Sequence, residues 1–184
     1  MLVTKVDTRR KPTRDLSVTF RTPEADDGTA VADLIRRSGS LDENSLYCNL
    51  LQCSHFSDTC VIAEVDGEIR GWMSGYLPPT DPDALFVWQV AVDERARGLG
   101  IAKRMILNVL DRDVCADVQH VHSTITADNR ASWALFGAIA DRMHAPMTRT
   151  PHFRRDREFD GAHATEHLVR IGPFGGALDA KVAA

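Results

Sequence analysis

The chain has 184 residues, 43% hydrophobic and 26% charged, with a formal net charge of −4 at neutral pH. That length fits one domain with a sizeable core, and the composition is that of an ordinary globular protein. The acidic balance argues against a general nucleic-acid or anionic-membrane binder, and no apolar run approaches the ~18 residues of a membrane-spanning helix.

Residues 1–16 are polar and aperiodic, with Lys5, Arg9, Arg10, Lys11 and Arg14 clustered; they read as a flexible, solvated arm. No apolar stretch follows these basic residues as it would in a secretory signal. Residues 18–21 alternate as a short strand. Pro23 and the acids after it open a helix with an apolar stripe of Ala30, Val31, Leu34 and Ile35, stopping near Gly39. Residues 41–51 suit a second helix, with Asp42 or Asn44 as cap and Leu46, Leu50 and Cys53 facing the core. Residues 59–65 and 68–77 read as strands joined by Asp66-Gly67, a strong hairpin signal. Gly71 and Gly75 suggest a bulge or close packing in the second of these.

Residues 85–92 are an apolar run rich in Val, Phe and Trp, a mostly buried strand. A polar turn leads into a helix at 99–111, striped by Ile101, Met105 and Val109. A strand at 118–126 follows, then a helix opened by Asp128-Asn129, then two closing strands at 147–153 and 166–171 around a charged loop. Residues 174–184 read as a tail, leaving 17–173 as the domain. The order β-α-α-β-β-β-α-β-α-β-β predicts an α+β fold on one mixed central sheet flanked by helices. The four cysteines have no CxxC or framework spacing and sit in apolar settings, so reduced thiols in the cytoplasm are expected.

Strand, glycine-bearing turn and helix start together suit a phosphate. Glycines let the backbone approach, and the first N–H groups of a helix lack internal partners. Lys103 stands where a dinucleotide fingerprint needs a third glycine, and no GxxxxGK(S/T) occurs. The stretch Arg97-Gly98-Leu99-Gly100-Ile101-Ala102 instead matches the Q/R-x-x-G-x-G/A pyrophosphate loop of the GNAT (GCN5-related) N-acetyltransferases. Arg95 can start the same pattern; the frame from Arg97 is preferred because Ala102 then falls inside the helix. The resemblance covers residues 18–171 and implies the GNAT acyl-CoA N-acyltransferase fold with acetyl-CoA as co-substrate and no metal. It implies that the backbone of Gln89, Val90, Ala91 and Val92 lines the pantetheine arm, that residues 97–102 hold the pyrophosphate, and that Asn129, with Ser132 on the same helix, contacts coenzyme A. Seven residues after Asn129 many members carry a tyrosine that protonates the thiolate. Here that position is Phe136, which cannot donate, so Ser132, Tyr47 or water must serve.

Four further segments resemble the branch of that family that acetylates the γ-amine of L-2,4-diaminobutyrate in ectoine biosynthesis, a response to osmotic stress. They are Leu41-Asp42-x-Asn44-Ser45-x-Tyr47, residues 86–92, Asp128-Asn129-x-Ala131-Ser132-Trp133-x-Leu135-Phe136, and His163-x-Thr165-Glu166-x-Leu168-x-Arg170-Ile171-Gly172-Pro173. The resemblance implies a homodimer. A substrate with two ammonium groups calls for carboxylates and aromatic faces. Asp42 and Glu166 are the candidates to bind or deprotonate the amines, with Trp88 and Tyr47 shaping the pocket and Arg170 or a backbone amide holding the carboxylate. Trp88 also suits plain core packing, Glu166 a solvent-facing strand position, and His163 is a weaker candidate base. His163 with His167, and His120 with His122, are poor metal sites for want of further ligands. Two other readings stand beside this one: an acetyltransferase for another amine, such as a polyamine or protein N-terminus, and a catalytically silent coenzyme A-binding module.

Overall fold

The computed structural model describes residues 16–39, 41 and 43–174. Most of the expected arm and tail, and Asp42, lie outside the described residues. Phe174 is described, buried in the core, and its N–H donates to the Gln119 carbonyl at 3.0 Å.

Seven strands form one sheet in the order β1-β2-β3-β4-β5-β7-β6. They are β1 Val18–Arg21, β2 Val61–Val65, β3 Glu68–Tyr76, β4 Ala84–Val92, β5 His120–Thr126, β6 Met147–Phe153 and β7 Glu166–Ile171. All neighbours pair antiparallel except β4 and β5, which run parallel. The helices are α1 Gly28–Ser38, α2 Leu46–Ser54, α3 Ile101–Leu110 and α4 Arg130–Met143. The element order is the expected one, with small differences at the ends. Thr59 sits in a 3-10 turn rather than in β2, where its hydroxyl donates to the Gly75 carbonyl at 2.7 Å. Val118 packs from the turn before β5.

Two apolar clusters cover the two faces. One joins Val31, Leu34, Ile35 and Cys53 of α1 and α2 to Ile62, Trp72 and Ala91. The other joins Ile101, Met105, Ile106 and Val109 of α3 and Phe136 and Ile139 of α4 to Met73, Leu85, Val121 and Val169. Each large side chain buried this way contributes about 1.5–3 kcal/mol. Asp66 and Gly67 turn the β2–β3 hairpin with φ of 51° and 80°, a pairing that matches the strand twist. Gly71 is demanded by space: a Cβ there would stand 2.9 Å from the side chains of Ala63 and Ile101.

The cap and inner face of α2 differ from expectation. Ser45, not Asp42 or Asn44, caps the helix, its hydroxyl accepting from the Cys48 N–H at 3.1 Å. Leu46 is 48% exposed, and the buried residues are Asn49, Gln52 and Cys53. The buried stripe is thus shifted by one residue, so that the amides of Asn49 and Gln52 take the inner face where Leu46 and Leu50 were expected.

Candidate active site

Two departures from regular pairing make the site. The β4–β5 ladder holds only from Ala84 to Phe86. Beyond it the strands part, and the Ser123 hydroxyl donates to the Val87 carbonyl at 2.9 Å across the widening gap. On the other edge of β4, Ser74 faces Gln89 while Gly75 faces Val87, leaving Trp88 as the extra residue of a bulge. Bulges re-aim side chains, and the Trp88 indole, 48% exposed, stands edge-on to Tyr76 at a ring separation of 6.3 Å.

The parted strands open a cleft of about 460 Å³. Its walls are Val90, Ala91 and Val92 of β4, Arg97 and Ala102 of the glycine turn, and Ala131, Ser132 and Leu135 of α4, closed by Ser38 and Leu41. Six expected contact residues therefore share one cleft; Ser38, Leu41, Ala131 and Leu135 were not foreseen, because only the placing of α1, the segment after it and α4 brings them there.

The turn at the mouth is shaped by one carboxylate. Asp93 holds it: its carboxylate accepts from the Arg95 N–H at 3.0 Å and the Arg70 guanidinium at 2.9 Å. Burial works against the Asp93 charge, but these donors hold its carboxyl below the usual range. Gly98 and Gly100 have φ of 83° and 67°, and a Cβ on either would meet nothing within 4 Å. The glycines are required by backbone conformation, not crowding. Gly100 is the N-cap of α3 and supplies no side-chain cap, so the first helical N–H groups take no partner from it. Arg97 is exposed beside them.

The other expected residues take different places. Ile101 is 2% exposed, with its side chain in the core, so only its backbone can serve the turn. Phe136 is likewise 2% exposed in the core and does not line the cleft. Asn129 caps α4, its side chain accepting from the Ser132 N–H at 3.0 Å. Gln89 is buried, and its amide oxygen accepts from Asn44 Nδ2 at 3.1 Å, tying the segment before α2 to β4. Tyr47 is 70% exposed on the first turn of α2. Glu166 opens β7 opposite Thr126, with His163 Nδ1 4.0 Å from its carboxylate. Trp88 lines a separate small pocket with Gln52, Phe56, Gly75 and Tyr76, three of which carry side chains that sequence patterning did not single out. Among the described residues, no group of three or more His, Cys, Asp or Glu is arranged to hold a metal.

The acetyltransferase (GNAT) family model matches residues 29–139, more than half of the chain. The chain belongs to the GNAT acetyltransferase family. Within it, the chain is 47% identical over 157 residues to the L-2,4-diaminobutyric acid acetyltransferase of Methylotuvimicrobium alcaliphilum, covering 85% of this chain and 91% of that one. Against the enzyme of the same name from Halomonas elongata it is 46% identical, covering 84% and 81%. Among solved structures, the diaminobutyrate acetyltransferase EctA of Paenibacillus lautus, in complex with L-2,4-diaminobutyric acid and coenzyme A, superposes with a TM-score of 0.82 at 42% identity, covering 89% of this chain and 99% of that chain. This GNAT chain thus carries the fold, the parted strands and the glycine turn of an acetyl-CoA-dependent acyltransferase.

Proposed function

We propose that this protein transfers the acetyl group of acetyl-CoA to the γ-amine of L-2,4-diaminobutyrate, the acetylation step of ectoine biosynthesis. The observation that carries the reading is the near end-to-end likeness to an enzyme solved with that amino acid and coenzyme A, at 42% identity. The cleft fits the co-substrate: apolar β4 and α4 walls for the pantetheine arm, open backbone and Arg97 for the pyrophosphate.

The residues then divide the work. The amine must lose a proton, which for a lysine-like group at neutral pH costs roughly 4–5 kcal/mol. Glu166, with Asp42, accepts or orients that proton. The deprotonated nitrogen attacks the thioester carbon, and N–H groups of β4 on the edge vacated by β5 receive the charge growing on the carbonyl oxygen. The C–S bond breaks and the sulfur takes a proton. Phe136 cannot give it, and Ser132, in the cleft wall, or water supplies it.

We also propose a cytoplasmic homodimer formed through β6. All seven residues of this edge strand are exposed, Met147 and Phe153 by 40% and 41%, and such an edge is ready to pair with another. Sedimentation would show a dimer, and a Thr150→Pro change would weaken it.

The deciding assay is thiol release with acetyl-CoA and L-2,4-diaminobutyrate, with NMR of the product. Turnover with the acetyl on the γ-nitrogen is expected. Preference for another amine, or coenzyme A binding without turnover, would overturn the reading.

A further inference from the structure

The pocket behind Trp88 takes no part in the proton and acetyl transfers above. It measures about 140 Å³ and is lined by Gln52, Phe56, Gly75, Tyr76 and Trp88. Three walls are aromatic. The rings of Phe56 and Trp88 are 45% and 48% exposed, so the mouth is open, while Gln52 is 2% exposed. Both polar atoms of the Gln52 amide are buried without a hydrogen-bond partner. Gly75 keeps the floor low: a Cβ there would lie 2.9 Å from the Phe86 carbonyl oxygen.

An unpaired buried amide opposes folding, and an apolar side chain of similar size would fill the same place without that loss. Its presence is explained by something that pairs with it. Aromatic faces attract a cation and pack methylenes, and an amide oxygen accepts from N–H. No charged side chain lines the pocket, and its three aromatic faces favour a cation over a carboxylate. The matching chemistry is a short aminoalkyl arm. The position fits as well. Trp88 lines this pocket and Val90 lines the cleft, two residues apart on β4 and about 7 Å along the strand. The pocket and the cleft thus take walls from neighbouring residues of one strand.

We propose that Gln52, Phe56, Tyr76 and Trp88 seat the methylenes and reacting nitrogen of the acceptor's arm, and so set the arm length the enzyme accepts. The proposal deepens the function proposed above and rests on it. One methylene in an apolar pocket is worth about 10–200-fold in kcat/KM.

The test compares diaminobutyrate with ornithine, one methylene longer, in the wild type, Phe56→Ala and Gln52→Leu. Phe56→Ala should raise the ornithine-to-diaminobutyrate ratio of kcat/KM at least about tenfold. Gln52→Leu should lower kcat/KM for diaminobutyrate about tenfold or more, with coenzyme A affinity unchanged and Tm no lower. A Phe56→Ala ratio within about twofold of wild type, or a Gln52→Leu enzyme as fast as wild type, overturns the pocket's role while the activity stands. If Gln52→Leu loses coenzyme A affinity or Tm, the Phe56→Ala ratio decides, since that ring is at the surface. A wild type inactive on diaminobutyrate overturns the function proposed above and this inference with it.

Discussion

Replacing Gly98 by alanine isolates what the glycine turn contributes. Gly98 has φ of 83°, and a Cβ there meets nothing within 4 Å. Sterics with neighbours are thus absent, and the whole cost is that of holding an L-residue in the left-handed region, about 1–2 kcal/mol. That cost must surface in one of two ways. If the turn stays in its present shape, the variant loses stability, and Tm falls by about 2–4 °C per kcal/mol for a chain of this size. If the turn relaxes, Tm is spared, but it must be re-formed when acetyl-CoA binds. The KM for acetyl-CoA then rises by a factor of about 5–30. Initial rates at varied acetyl-CoA and saturating amine, beside thermal melts, measure both, and the two losses together should come to about 1–2 kcal/mol. Gly98→Asn should lose less, because asparagine tolerates this conformation, and Gly98→Val more, because a β-branched residue does not. If Gly98→Ala leaves both Tm and KM unchanged, the argument that conformation rather than space demands glycine here is refuted.

Arg97→Ala should raise the KM for acetyl-CoA about tenfold, the low end for a charge-assisted hydrogen bond at an exposed position, with Tm unchanged; steady-state kinetics and a melt check both. Phe136→Tyr should give no gain in kcat and a lower Tm, because the ring is 2% exposed in the core and an unpaired buried hydroxyl costs about 1–3 kcal/mol. The Asp27 carboxyl, hydrogen-bonded by Arg21, and the Asp93 carboxyl, charged despite its burial, both titrate below their ordinary value. Their stabilisation is therefore complete above the unfolded value of about 3.9 and lost as pH falls through the lower folded values. Melts from about pH 6 to about pH 2 should show this loss, and Asp27→Asn should lower Tm at the upper end while flattening the acid limb. Burial pushes the thiols of Cys53 and Cys115 up to about 11 and that of Cys60 up to about 12. A thiol reagent should thus react slowly with these three in the native protein and rapidly after denaturation.

The local conformation of the candidate site was legible because its signals are local. Gly98 and Gly100 read as a turn for an anion, and both adopt positive φ. Asn129 read as a helix opener, and it caps α4. The apolar run at 85–92 read as a buried strand, but its bulge did not, because a bulge at Trp88 exists only relative to Ser74 and Gly75 on another strand. Leu46 read as core and is exposed, while Asn49 and Gln52, which no pattern singled out, are buried. Spacing gives a helix's stripe but not which way the helix is turned when neighbours choose the contact face.

The amino-acid sequence by itself determined the order and type of the elements, the conformation of the glycine turn and the family, since each rests on residues close together in the chain. Tertiary structure alone decided where β4 and β5 part, which α4 side chains wall the cleft, and how Gln52, Tyr76 and Trp88 come to share a pocket. Those outcomes depend on pairing between residues tens of positions apart. Such register is settled only when both faces of the sheet are buried at once.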